Sequence, residues 1–142
     1  MSTETDTRLK DILAGTRTIA LVGFSNKPDR PSYRVAEYLA RAGYRVIPVN
    51  PGLAGQDFMG ETIVAALTDI PAGMKIDMVD IFRRADHVPP VVEAALAALP
   101  GLKTIWVQLG ITSDAAREAT QRAGLAYVED RCTKIEHERL LG

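Results

Sequence analysis

The chain has 142 residues, 46% of them hydrophobic and 25% charged, the composition of an ordinary folded domain long enough to bury its own core. Disordered, collagen-like and low-complexity chains are excluded, and 17 Lys and Arg against 18 Asp and Glu leave a formal charge of -1, so no overall basic field points to nucleic acid or an anionic membrane. The one cysteine, Cys132, can form neither an intramolecular disulfide nor a thiolate metal cage. No apolar run approaches the roughly 18 residues of a membrane span, and the polar start MSTETDT is unlike a secretory signal, so a cytoplasmic location is expected.

In chain order, residues 1–15 are expected to form a tail, frayed to about Asp6, and a short helix over 8–14 with Leu9, Ile12 and Leu13 on one face. The apolar run Thr18 to Val22, closed by Gly23, predicts a strand buried on both faces. Val35, Tyr38, Leu39 and Ala42 follow with helical spacing, and Gly43 supplies the stop. The next strand is expected over 45–49, ended by Asn50-Pro51-Gly52. Residues 52–60 read as loop and 64–68 as a short helix.

A third strand is expected over 78–81. Pro89 and Pro90 then suit the first turn of a helix whose buried face is Val92, Ala95, Leu96 and Leu99. Strands over 104–108 and 125–129 flank a helix that Thr112 or Ser113 can cap, and a closing helical turn is predicted over 134–141. Strand and helix alternating at this spacing predict an α/β open parallel sheet of about five strands, with helices on both faces. Residues 16–142 then form a single domain. Ligands of such sheets sit beyond the carboxyl ends of the strands, which nominates the loops 23–32, 50–55, 82–87, 109–113 and 130–133.

The first of those loops carries the strongest signal, GFSNKPDRPSYR from Gly23 to Arg34. Gly23 permits a tight turn. Ser32 or Asp29 can cap the following helix, whose N-terminus favours an anion. Lys27, Arg30 and Arg34 add cations, so phosphate or pyrophosphate is the ligand class. The dinucleotide fingerprint is absent, because Ser25 stands where its second glycine would be. The second strand ends Val49-Asn50-Pro51 without an acid for a ribose, and no P-loop is present.

The motifs VGFSNKPDRPSY, VIPVNP, VDIFRR, IWVQLG and DRCTKIEH, in that order at successive strand ends, resemble the small stand-alone CoA-binding proteins. Their Rossmann-like domain is similar to the N-terminal CoA-binding domain of the succinyl-CoA synthetase α subunit and of ADP-forming acyl-CoA synthetases. The resemblance runs from about Thr16 to Leu140. It implies that Ser25, Asn26, Lys27 and Pro28 wrap the phosphate end of coenzyme A, with Gly23, Phe24 and Arg34 also counted as cofactor-binding. Asn50 and Pro51 would border the adenosine, and Ile81, Phe82 and Arg83 would complete the groove. Arg83 and Arg84 suit a phosphate through their forked donors, or are an ordinary exposed pair. Gln108 and Gly110 close the fourth clear strand, where the glutamine can bond a ligand or satisfy the loop backbone. Related loops often place a lysine shortly after Asn-Pro, whereas Gly52-Leu53 follow here; Lys27 and Arg83 then supply the charge, or affinity is reduced.

Cys132, Glu136 and His137 are too poorly aligned for a local triad, and Cys132 is expected to be a packed thiol. Trp106 is expected in the core. The resulting expectation is a module that binds coenzyme A or an acyl-CoA, with no catalytic or metal site and no nucleic-acid or membrane partner. A protein partner is left open. The alternatives are a small NAD(P)-linked oxidoreductase on the same fold, or a CoA-binding subunit of a multi-chain acyl-CoA ligase.

Overall fold

A computed structural model describes residues 4–142. Helix α1 spans Glu4–Ala14 and buries Leu9 and Leu13. It starts before the expected Arg8, because Glu4 and Asp6 lie in its first turn, where carboxylates complement the helix dipole. Asp6 is also held, its Oδ1 accepting from Arg139 Nη2 at 2.8 Å. The fraying expected to Asp6 therefore does not occur from Glu4 onward; the rest of that tail, 1–3, lies outside the described residues.

Strand β1 (Thr18–Val22) is followed by α2 (Pro31–Arg41) and β2 (Arg45–Val49). β1 pairs in parallel with β2, aligning Leu21 with Pro48. A proline in a strand belongs at a sheet edge, where its missing N–H disturbs least, and β2 is an edge of the main sheet.

The segment after β2 departs from the sequence reading. A short hairpin, β3 (Asp57–Phe58) and β4 (Glu61–Thr62), occupies part of the expected loop. The expected helix over 64–68 is absent. Val64 makes a parallel bridge to Val49, its N–H donating to the Pro48 carbonyl at 3.1 Å. Only Leu67–Asp69 coils, into a 3-10 turn. The run Thr62-Ile63-Val64 is β-branched and favours extended backbone wherever a strand edge is available.

The remainder is β5 (Met78–Ile81), α3 (Val88–Ala98), β6 (Thr104–Val107), α4 (Asp114–Arg122), β7 (Ala126–Val128) and α5 (Thr133–Leu140). The main sheet is parallel in the order β2-β1-β5-β6-β7, a Rossmann-like α/β fold. Leu9, Leu13, Val35 and Leu39 pack with Leu21 and Trp106 on one face. Val92, Ala95 and Ala116 pack with Ala20, Val79 and Ile105 on the other. The chain leaves β1 towards β2 and returns on the far side of β1, so the strand order reverses between β1 and β5. A right-handed crossover in each direction sends the helices to opposite faces and opens a crevice at that reversal.

Polar ties fix α5 onto the sheet. Thr133 Oγ1 donates to Asp80 Oδ2 at 2.8 Å, the Thr133 N–H to Gln108 Oε1 at 3.3 Å, and Trp106 Nε1 to the Arg131 carbonyl at 2.8 Å. Trp106 is wholly buried, as its mid-strand position predicts.

Asp80 is fully buried, and burial, opposed by the Thr133 hydroxyl, pushes its carboxyl from 3.8 up to about 7. The native state thus holds this proton more tightly than the unfolded chain. The resulting stabilisation is complete below about pH 4 and is lost as the pH rises through about 7. Denaturant titrations across that range should show wild type losing ground to Asp80→Asn by at most about 1.4 kcal/mol per pH unit. A difference that does not change with pH would contradict this.

Candidate functional site

The loop between β1 and α2 is shaped by its own hydrogen bonds. Gly23 adopts φ +87°, and the N–H groups of Gly23 and Phe24 both reach the Val49 carbonyl, at 3.2 and 3.3 Å. Phe24 then turns into the core, 1% exposed, with its ring edge-on to Phe58 at 4.9 Å. The Ser25 N–H donates to Ser32 Oγ at 3.0 Å and the Lys27 N–H to Ser25 Oγ at 3.2 Å. The residue preceding α2 is Arg30, with no side-chain cap. Neither Ser32 nor Asp29 caps this helix, because Pro31 begins it and Ser32 instead holds the loop.

Two clefts open at the carboxyl ends of the strands. The first, about 670 Å³, lies among the start of α2, the β6 end and the start of α5; Ser25, Lys27, Arg30, Gln108 and Cys132 are among its lining residues. The second, about 530 Å³, lies among the β2 end, the turn at 65–67 and α3, and is lined in part by Asn50, Pro51 and Arg83. Gly23 and Phe82 line both. A side chain at Gly23 would bring its Cβ within 2.3 Å of the Phe82 carbonyl oxygen, so the two strand ends meet there as a low saddle.

Of the residues nominated from the sequence, Gly23, Ser25, Lys27, Asn50, Pro51, Phe82, Arg83 and Gln108 line one or both clefts. Phe24 and Ile81 are buried beneath them. Asn26, Pro28 and Arg34 are exposed outside both linings, with Asn26 Nδ2 3.4 Å from Gln56 Oε1. Gly110 also lies outside, its N–H donating to Asp130 Oδ1 at 2.7 Å. Asn50 is committed to the backbone: Nδ2 donates to the Phe24 carbonyl at 2.6 Å, and Oδ1 accepts from the Gly52 N–H at 2.7 Å.

The electrostatics of the rim are one-sided. Among the described residues, Lys27, Arg30 and Arg83 have no acidic side chain within ion-pair distance. Arg84 differs from its neighbour, lying 3.7 Å from Asp86 and 3.2 Å from His87 Nε2.

Cys132 is half-buried and lines the first cleft. It packs against the core with only part of its surface, so the buried thiol expected from the sequence is half realised, because Cys132 precedes α5 rather than lying on the helix's inward face. Its candidate partners are engaged elsewhere. Burial pushes the Glu136 carboxyl up, but hydrogen bonds from Arg139 and Arg131 outweigh this and hold it below the usual range. His137 Nδ1 lies 2.7 Å from the Tyr38 hydroxyl. Among the described residues no cluster of His, Cys, Asp and Glu could hold a metal.

The family model for the CoA binding domain matches residues 17–138. The chain belongs to the CoA-binding domain family. It is 33% identical over 137 residues to the uncharacterized protein YneT of Bacillus subtilis (strain 168), covering 96% of this chain and 97% of that one. The structure of cell-free ID.343 from Thermus thermophilus superposes with a TM-score of 0.88 at 36% identity, covering 96% of this chain and 98% of that one. A dinucleotide-forming acetyl-coenzyme A synthetase 1 from Ca. Korarchaeum cryptofilum shares the fold alone. Its TM-score is 0.64 at 24% identity, over 83% of this chain and 27% of the synthetase.

Several cleft residues of this CoA-binding-domain chain escaped selection from the sequence. Leu109 and Cys132 stand inside the motifs IWVQLG and DRCTKIEH, but Leu109 carries no polar group and Cys132 reads as a packed thiol; Ile111 stands in a nominated loop with neither charge nor motif. Ile135 and the wall formed by Val91 and Ala94 lie on helices, where apolar residues read as core.

Gly23→Ala should destabilise the fold by roughly 1–3 kcal/mol, the usual cost of a non-glycine residue at positive φ, and more if the saddle cannot widen. Chemical denaturation checks this, and a cost below about 0.5 kcal/mol, the usual surface range, would mean the strand ends yield freely.

Proposed function

We propose that this chain binds coenzyme A across the two clefts and acts as a binding module without a catalytic centre of its own. One observation carries the reading: two clefts meet at a saddle formed by Gly23 and Phe82, and cations without acidic partners among the described residues rim both. Coenzyme A is long, with an adenosine at one end, phosphates near it and a pantetheine arm beyond. The adenosine fits the second cleft, beside Pro51 and the apolar wall of α3, with Arg83 at hand for phosphate. The pyrophosphate crosses the saddle near the β1–α2 loop, where Lys27 and Arg30 supply charge. The pantetheine then runs through the first cleft towards the β6 and α5 ends.

The oxidoreductase alternative is disfavoured at the β2 end. A nicotinamide cofactor of the usual mode needs an acid there for its ribose; this chain has Asn50, whose amide is already bonded to Phe24 and Gly52. Calorimetric titration should therefore show coenzyme A binding more tightly than NAD, NADP or ATP. Equal or tighter binding of NAD would replace the proposal with the oxidoreductase.

Lys27 is exposed and without an acidic partner among the described residues. Lys27→Ala should thus weaken coenzyme A by roughly 1.5–3 kcal/mol, the range of a hydrogen bond to a charged group, while leaving thermal unfolding nearly unchanged. Added salt should shrink the gap between variant and wild type. Identical affinities at low salt would remove Lys27 from the site.

A further inference from the structure

The far end of the first cleft is lined by large apolar side chains. Leu109, just past β6, is 61% exposed, and Ile135, in the first turn of α5, is 52% exposed. Both line the cleft, with Ile111 beside them. Single exposed apolar residues are ordinary, but large ones converging on one cavity mark a place where apolar surface is covered. The pattern of α5 sharpens the point: Ile135 faces outward while the adjacent Glu136 is 5% exposed, the reverse of what a helix on a sheet needs for its own packing. Glu136 is turned inward because Arg131 and Arg139 hold its carboxylate, and that rotation presents Ile135 to the cleft.

We infer that the ligand of this site is an acyl-CoA whose apolar acyl chain lies against Leu109, Ile111 and Ile135. The inference rests on the coenzyme A reading, which sets the direction of the ligand. With the adenosine on the β2 side of the saddle and the phosphates at the β1–α2 loop, the pantetheine must leave across Phe82 towards β6. Its thioester end then arrives where the lining changes from cationic, at Lys27 and Arg30, to apolar. The pantetheine arm, with its gem-dimethyl group and methylenes between two amides, can cover apolar surface up to the thiol; an acyl chain covers the aliphatic rim beyond it. Charge at one end and hydrocarbon at the other match the two ends of an acyl-CoA.

Titration calorimetry with coenzyme A and its acetyl, butanoyl, hexanoyl and octanoyl thioesters tests this. Each methylene seated should tighten binding about four-fold, from ~0.8 kcal/mol per buried CH₂, until the chain outgrows the cleft. In the double variant Leu109→Ser, Ile135→Thr, both at exposed positions, the ratio of octanoyl-CoA to coenzyme A affinity should fall at least ten-fold. If coenzyme A binds and the acyl series is flat, the acyl inference is overturned while the coenzyme A reading stands. If coenzyme A itself does not bind, both fall. A flat series together with a dimer in sedimentation equilibrium that the double variant dissociates would assign the rim to a second copy of this chain instead.

Discussion

The approach of two strand ends at Gly23 and Phe82 is the constraint on which the rest of the site depends. The Phe82 N–H reaches the Val22 carbonyl at 2.8 Å, carrying the β1–β5 ladder one step beyond the strands. The peptide of Phe82 then occupies the space where any other residue at 23 would place its Cβ. With the backbones this close, the loop after β1 has little freedom. It folds back on Val49, sends Phe24 into the core and is latched by Ser32 and Asn50. The boundary between the clefts is consequently formed by the backbone at Gly23 with Phe82 beside it.

The near-zero net charge conceals an uneven distribution. Arg45 is paired with Glu61, Arg139 with Asp6 and Glu136, and Arg117 with Glu129. These pairs join partly exposed arginines to carboxylates that are more buried, and they neutralise the sides of the molecule. Lys27, Arg30 and Arg83 at the strand ends have no such partners among the described residues, and their mutual repulsion is tolerated because water screens it. A local positive rim on a balanced protein concentrates anions at one place without promoting general attachment to polyanions.

The strands and the helices between them were legible because their signals are local: β-branched apolar runs closed by glycine or Asn-Pro, then apolar residues at helical spacing. The loops at the carboxyl ends followed from the alternation alone. Less legible was which side chains in those loops turn outward. Phe24 stands inside the strongest motif yet serves the core, because its backbone is pinned to Val49. Cys132 and Ile135 depend on where α5 begins and how it is rotated, and this is decided by the Arg131–Glu136 pair and by Thr133 on Asp80, contacts between residues up to 53 positions apart. The hairpin escaped for a similar reason: strands of two residues carry no periodicity, and it forms only because β2 offers an edge.

That hairpin has a bearing on how the protein keeps its own company. A parallel sheet exposes two lines of unpaired peptide groups, and each is an invitation for a neighbouring chain to add a strand. Along β2 the line is interrupted by Pro48, covered by the Val49–Val64 bridge and flanked by the Arg45–Glu61 pair. At the opposite margin β7 has only three residues, Ala126–Val128, and Arg8 Nη2 occupies the Tyr127 carbonyl from outside the sheet at 2.9 Å. Neither margin presents a long, flat template. Molecules crowded together at high concentration are thereby discouraged from joining sheet to sheet.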